Sequence, residues 1–268
     1  MTAQLSAIRN LLIDMDGVIY RGKTVLPGAA ELFDFLRDHG MGYLLVTNNA
    51  TRTPGQVADR LATMGLDVPE SLILTSATAT AAYLATIAPA GTKVNVVGEQ
   101  GLVEAMEQHG FVLAGRDAQY VVAGLDKTVT YEKLMTATLA IRSGATFIGT
   151  NPDKTFPSEN DIIPGAGSIL AAIEAATDVQ PIVVGKPEPL VIEQSLQMLG
   201  ARAEETAMLG DRLETDILGG YRAGIATILV LTGISTAAEA AVYPAPPDWT
   251  FSDLPAMLRA WREALGEL

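Results

Sequence analysis

The chain has 268 residues, 49% of them hydrophobic, and a formal charge of -13: enough apolar content for a large packed core, and the wrong sign for a nucleic-acid surface, which needs clustered Lys and Arg. It has no cysteine, which excludes disulfides, thiolate zinc and a cysteine nucleophile, and only two histidines, which argue against a multi-histidine metal site or a Ser-His-Asp triad. The opening MTAQLSAIRN is too short and polar for a signal peptide and no apolar run approaches membrane-spanning length, so the expected location is the cytoplasm, with no membrane partner.

The first predicted element is an apolar strand at residues 10–13 that runs into Asp14, Met15, Asp16 and Gly17. Two carboxylates so close repel each other unless a cation or a shared proton intervenes; a strand-terminating Asp-Gly turn is the plainer alternative. A helix follows at residues 29–39, with Ala29, Leu32, Phe33 and Leu36 on one face, and it closes on His39 before a glycine. The next strand, residues 42–46, ends in Thr47, Asn48 and Asn49, whose hydroxyl and amide groups suit a phosphoryl group or, equally, an Asn-rich turn capping the helix at residues 54–64.

Strands at residues 72–74, 94–97, 120–123 and 146–148 then alternate with helices at 78–87, 102–109 and 131–143, and His109 again precedes a glycine at a helix end. The loop at residues 150–164, TNPDKTFPSENDIIP, leads to a helix at 167–176 and a strand at 181–184 that ends in Gly185, Lys186 and Pro187. A lysine held between glycine and proline has a constrained backbone, although most lysines are solvated. After a helix at 190–199, a strand at 206–209 ends in Gly210 and Asp211, with Asp216 at the start of a helix at 215–223, where it or Thr215 could serve as a cap. A strand at 226–231, a Pro-rich connection at 243–248, a short strand and a helix at 254–265 complete the chain.

Such regular alternation predicts an α/β fold, a Rossmann-like doubly wound parallel sheet, whose ligands bind at the carboxyl ends of the strands. The stretch between VTNNATRT and GKP is far too long for one βα crossover and predicts an inserted α/β domain at residues 81–180, set in a core of residues 1–80 and 181–268.

The order D-x-D-G, T-N-N, G-K-P and G-D-x-x-x-T-D resembles the haloacid dehalogenase-like superfamily of aspartate-nucleophile phosphatases, and within it the type IIA branch of p-nitrophenyl phosphatase-like, nucleotide and phosphoglycolate phosphatases. The resemblance spans essentially the whole chain. It implies that Asp14 attacks phosphorus and forms an aspartyl phosphate, while Asp16 protonates the leaving oxygen and later activates water. It further implies Mg²⁺ held by Asp14, the backbone carbonyl of Asp16 and Asp211, with Asp216 steadying a metal-bound water or orienting Lys186. Thr47, Asn48 and Lys186 would bind the phosphoryl oxygens, and Asn49 would lie beside them as a further substrate contact.

The inserted domain corresponds to a cap that covers the site and supplies a specificity loop, here residues 150–164 with Asn151 and Asp153 as the substrate contacts; an Asx-Pro turn is the alternative for these two. The expected substrate is a small phosphorylated metabolite, and a homodimer through the cap is the expected assembly. A phosphotransferase or mutase is the nearest rival, but mutases of this superfamily usually carry their cap between the first two motifs, and only about thirty residues separate Asp16 from Thr47. A noncatalytic binding homologue is a second rival, opposed by the intact Asp14, Asp16, Lys186 and Asp211.

Overall fold

A computed structural model describes residues 4–157 and 161–267 of the chain. The chain divides into two compact units. One holds the described residues up to Val46, Arg60–Ile73 and those from Lys186 onward; the other holds Thr47–Asp59 and the described part of Leu74–Gly185.

The first unit is organised by a sheet in the order Trp249–Phe251, Ala226–Val230, Thr206–Gly210, Asn10–Ile13, Gly42–Thr47, Ile73–Thr75. The pairings from Trp249–Phe251 through Gly42–Thr47 are parallel, and Ile13 stands level with Leu209 on one side and Leu45 on the other. Leu11, Leu12 and Ile13 are all fully buried. Successive side chains of a strand point to opposite faces, so both faces of this central strand are covered, as the doubly wound α/β fold requires. Because strands of later sequence lie on either side of Asn10–Ile13, the winding reverses there, and the crevice at its carboxyl end is where such a sheet takes its ligand.

The helix Ala29–Asp38 buries Ala29, Leu32, Phe35 and Leu36. Phe35, not Phe33, completes the apolar face: its ring meets Trp261 with centroids 5.6 Å apart, while Phe33 is half-buried against Tyr43 at 5.4 Å. Both histidines close helices as the sequence predicts. His39 Nδ1 lies 2.8 Å from the Phe35 carbonyl and His109 Nδ1 lies 2.9 Å from that of Ala105. The other ring nitrogen of His39 is 2.6 Å from Glu267, and this bond, followed by the Phe35 carbonyl, raises its pKa. A raised histidine pKa contributes stability that is present below the unfolded value and lost as the pH rises through the folded one. The His39 ring is therefore expected to titrate by NMR above about 6.5 and to fall back in Glu267→Gln, an unchanged midpoint being the contrary result.

The helix predicted at residues 215–223 begins earlier, as a π-helical turn Leu213–Ile217 that passes into the α-helix Leu218–Ala223. The Arg212 carbonyl accepts from the amides of both Asp216 and Ile217, and the Asp216 carboxylate in turn accepts from the Arg212 amide. This wider turn sets Asp216 inside the first turn rather than at a cap position, and such turns are common at functional sites.

The second unit has its own sheet in the order Ile182–Val183, Thr146–Gly149, Tyr120–Ala123, Lys93–Val97, Val112–Leu113, parallel throughout. Its core packs Val97, Val121 and Phe147 against Ala137, Ala140 and Ile141 of the helix Tyr131–Arg142 and Leu170 and Ile173 of Ala166–Thr177. Alanines on the facing side of a helix let it approach a sheet closely.

This unit takes in more than residues 81–180, and the reason lies in its hydrogen bonds. Ile182–Val183 extends its sheet, the Gly185 amide donates to the Thr150 carbonyl, and the Gly101 amide donates to that of Thr51. The short strands Tyr20–Arg21, Thr24–Val25, Val112–Leu113, Thr155–Pro157 and Ile162–Pro164 are absent from the sequence-based reading, since pieces of two or three residues show no alternation. Residues 158–160 of the expected specificity loop lie outside the described residues. Among the described residues, no helix is long and apolar enough to cross a membrane.

Candidate active site

The ladder of the central strand extends to Asp14, whose amide donates to the Leu209 carbonyl at 2.8 Å. This fixes the Asp14 backbone at the end of the sheet. Lys186 Nζ lies 2.6 Å from Asp14 Oδ1, 2.7 Å from Asp216 Oδ1 and 2.9 Å from the carbonyl of Val46. Lys186 is 1% exposed and Asp216 likewise. An ammonium ion is tolerable in such a place only when carboxylates and a carbonyl replace its water.

Asp211 joins the cluster from the end of the neighbouring strand, and carboxylate oxygens of Asp14, Asp211 and Asp216 lie within 4.8 Å of one another. The glycine of D-x-D-G has a steric cause here. Gly17 adopts φ +87°, and a Cβ on it would fall 2.6 Å from Asp211 Oδ2.

Burial pushes the Asp14 carboxyl well above its ordinary range, Lys186 opposes this, and Asp216 and Asp211 push it up further. Burial, and then the charge of Asp216, push Asp211 up to about 7, while the Ile234 amide lowers it. Burial works against the charged form of Lys186, but Asp14 and Asp216 outweigh it and hold the amine protonated. Three carboxylates thus share one fixed cation. This deficit of positive charge, with hard oxygen donors only, fits a divalent ion such as Mg²⁺ better than a soft transition metal.

Asp16 stands apart from the cluster, with its residue exposed. The atoms packed around its carboxyl raise its pKa, while Arg60, Arg21 and Arg212 lower it. Arg60 is itself held in place by the Gly22 carbonyl at 2.5 Å and by the face of Tyr20, 4.6 Å below its guanidinium. An acid with a raised pKa can keep the proton that a leaving oxygen needs.

The remaining expected residues lie in the second unit, in two hydrogen-bonded groups. Asn48 Nδ2 donates to Asp153 at 3.1 Å, and the Asn48 carbonyl accepts from Asn151 Nδ2 at 2.7 Å and from Ser76 Oγ at 2.6 Å. Asn151 is 3% exposed, and its Oδ1 closes a turn onto the Asp153 amide. Asn49 accepts from the Thr51 amide and hydroxyl through Oδ1, and the Thr47 hydroxyl accepts from the Asn49 amide. The Asx-turn chemistry weighed for Asn151 and Asp153 is therefore present, and the other end of the Asn151 amide separately fixes the backbone of Asn48.

Ser76 is absent from the sequence-based reading, although Thr75 and Ser76 follow a strand as Thr47 and Asn48 do. Thr232 and Ser235, beyond the strand Ala226–Val230, are likewise absent from it. In each case a hydroxyl just past a buried strand is the signal.

The sequence matches a family model described as haloacid dehalogenase-like hydrolase over residues 11–112, and a second, HAD-hydrolase-like model over residues 183–257. It is 42% identical over 258 residues to an acid sugar phosphatase of Staphylococcus aureus, covering 96% of each chain. Among solved structures it resembles a 4-nitrophenylphosphatase from Thermotoga maritima, with 36% identity, a TM-score of 0.91 and coverage of 95% of this chain and 98% of that one. It also resembles a p-nitrophenyl phosphatase from Archaeoglobus fulgidus, with 35% identity, a TM-score of 0.89 and coverage of 94% and 99%.

Proposed function

Because this chain belongs to the haloacid dehalogenase-like hydrolases, in their type IIA phosphatase branch, we propose that it hydrolyses small phosphomonoesters with Mg²⁺ through an aspartyl phosphate on Asp14. The observation that carries this reading is the buried Lys186 ammonium, bonded to Asp14 and Asp216 with Asp211 alongside, at the carboxyl ends of the central strands. Mg²⁺ would be held by Asp14, the Asp16 carbonyl and Asp211, and would supply positive charge to the phosphoryl oxygens.

An Asp14 carboxylate oxygen bonds to phosphorus as the ester P–O bond breaks, and Asp16 gives its proton to the departing oxygen. Asp16, now a carboxylate, takes a proton from a water whose oxygen bonds to phosphorus, and the bond to Asp14 breaks, restoring both aspartates. Lys186 offsets the charge on the phosphoryl group, and Asp216 keeps its ammonium directed at Asp14. The Thr47 hydroxyl and Asn48 amide follow directly on Val46, whose carbonyl fixes Lys186, and they are the proposed further ligands of the phosphoryl oxygens, with Asn49 adjoining them. The second unit acts as the cap, with residues 150–164 as its specificity loop and Asn151 and Asp153 as its proposed substrate contacts. Their bonds to Asn48 support that role, since one network joins loop and phosphoryl motif.

Phosphate release from p-nitrophenyl phosphate and from a panel of nucleoside monophosphates, phosphoglycolate and sugar phosphates tests the reading. Release with Mg²⁺ and its loss on chelation are expected; no release from any of them with Mg²⁺ present contradicts it. The proposed cytoplasmic homodimer is tested by light scattering, where a monomer mass rejects the pairing.

A further inference from the structure

We propose that the loop at residues 232–235 is a clamp that orients Asp211 toward the metal, with Gly233 and Ser235 as positioning residues. The inference rests on the reading of Asp14 and Asp211 as metal ligands. The Ile234 amide donates to Asp211 Oδ2 at 2.8 Å, and the Ser235 amide donates to the Asp211 carbonyl at 3.1 Å. Ser235 Oγ accepts from the Leu213 amide at 3.0 Å, at the start of the π-helical turn that carries Asp216. The Thr232 hydroxyl donates to the Gly17 carbonyl at 2.6 Å, in the loop that carries Asp14 and Asp16. One short loop therefore ties together all three segments that supply the carboxylates.

Its glycine cannot be replaced without displacing the ligand. A Cβ on Gly233 would fall 1.7 Å from Asp211 Oδ2, so the carboxylate lies against bare backbone on this side and against Gly17 on another. Ile234 occupies Oδ2, and Asp211 Oδ1 accepts no hydrogen bond among the described residues, which leaves it for a cation. Outer groups that orient a metal-binding carboxylate contribute to affinity without touching the ion.

Calorimetric titration of the metal-free full chain with Mg²⁺ tests the clamp, with variants compared at a temperature where each is folded. Ser235→Ala and Gly233→Ala are expected to bind Mg²⁺ about tenfold or more weakly, and Ser235→Thr, which keeps the hydroxyl, within about twofold of the wild type. A residue that serves only the fold would shift the melting temperature and leave this affinity alone. Should Gly233→Ala fail to fold, the Ser235 pair decides the matter. Wild-type affinity in the alanine variants overturns the clamp and leaves the metal reading intact, whereas a wild-type chain that binds no Mg²⁺ overturns both.

Discussion

Asp14→Asn is expected to lower phosphate release by on the order of 10⁴-fold or more while the chain stays folded, because the substitution removes the nucleophile and keeps its shape. The amide can still accept from Lys186 through its oxygen, so the ammonium keeps a partner there as well as Asp216 and the Val46 carbonyl. Burial already disfavours the charged form of Asp14, so a neutral group in its place relieves a cost that folding carries. What is lost is the oxygen that bonds to phosphorus and one ligand for the cation. Release of p-nitrophenol, compared with a melting curve of the same sample, checks the point. Equal rates in variant and wild type contradict the assignment of Asp14, whereas loss of both rate and fold reports a structural role.

The metal-free protein is expected to lose stability as the pH rises from about 4 to about 7, and Mg²⁺ to restore it chiefly at the upper end. The sign follows from Asp211, whose pKa burial and Asp216 raise from 3.8 to about 7. In that window the folded chain keeps a proton that the unfolded chain has released, so the contribution is full at low pH and disappears as the pH passes through the folded value. The rise corresponds to roughly 4 kcal/mol at about 1.4 kcal/mol per pH unit, and Asp14, raised by the same burial, acts in the same direction. A cation binds the deprotonated carboxylates and removes their mutual repulsion, so its benefit grows with pH. Melting temperatures with EDTA and with Mg²⁺, at about pH 5 and about pH 7.5, measure this difference. A Mg²⁺ increment that is equal at both pH values, or larger at the lower, goes against the carboxylate cluster as the metal site.

The strand-end motifs were legible because buried apolar runs that terminate in Asp14 or Asp211 place charge where it is costly without a partner. The sequence shows the motifs separately; the parallel register of Ile13 with both Leu45 and Leu209 brings the strand ends that carry Asp14 and Asp211 level, while Lys186, which follows a strand of the other sheet, is placed by its bonds to Asp14, Asp216 and the Val46 carbonyl. The parallel character of the sheet followed from the alternation of elements, since parallel strands need crossovers, whereas the order of its strands is seen only in the structure. Less of the second unit could be read. Its boundary depends on single hydrogen bonds, such as Gly185 to Thr150 and Gly101 to Thr51, that no periodicity announces. Phe33 and Phe35 both lie near the apolar stripe of one helix, and only the position of Trp261, far along the chain, decides which is buried. The loop at residues 232–235 escaped for a related reason: Thr-Gly-Ile-Ser reads as an ordinary turn until Asp211 is seen beneath it.

The most direct test of the covalent route is to quench the enzyme during turnover of p-nitrophenyl phosphate with Mg²⁺, reduce the trapped acyl phosphate with borohydride, and map the modified residue by peptide mass spectrometry. Reduction at residue 14 alone, absent without substrate and absent in Asp14→Asn, is the result expected of an aspartyl phosphate at that position. Active turnover with no modified residue, or with the modification at another carboxylate, would contradict it.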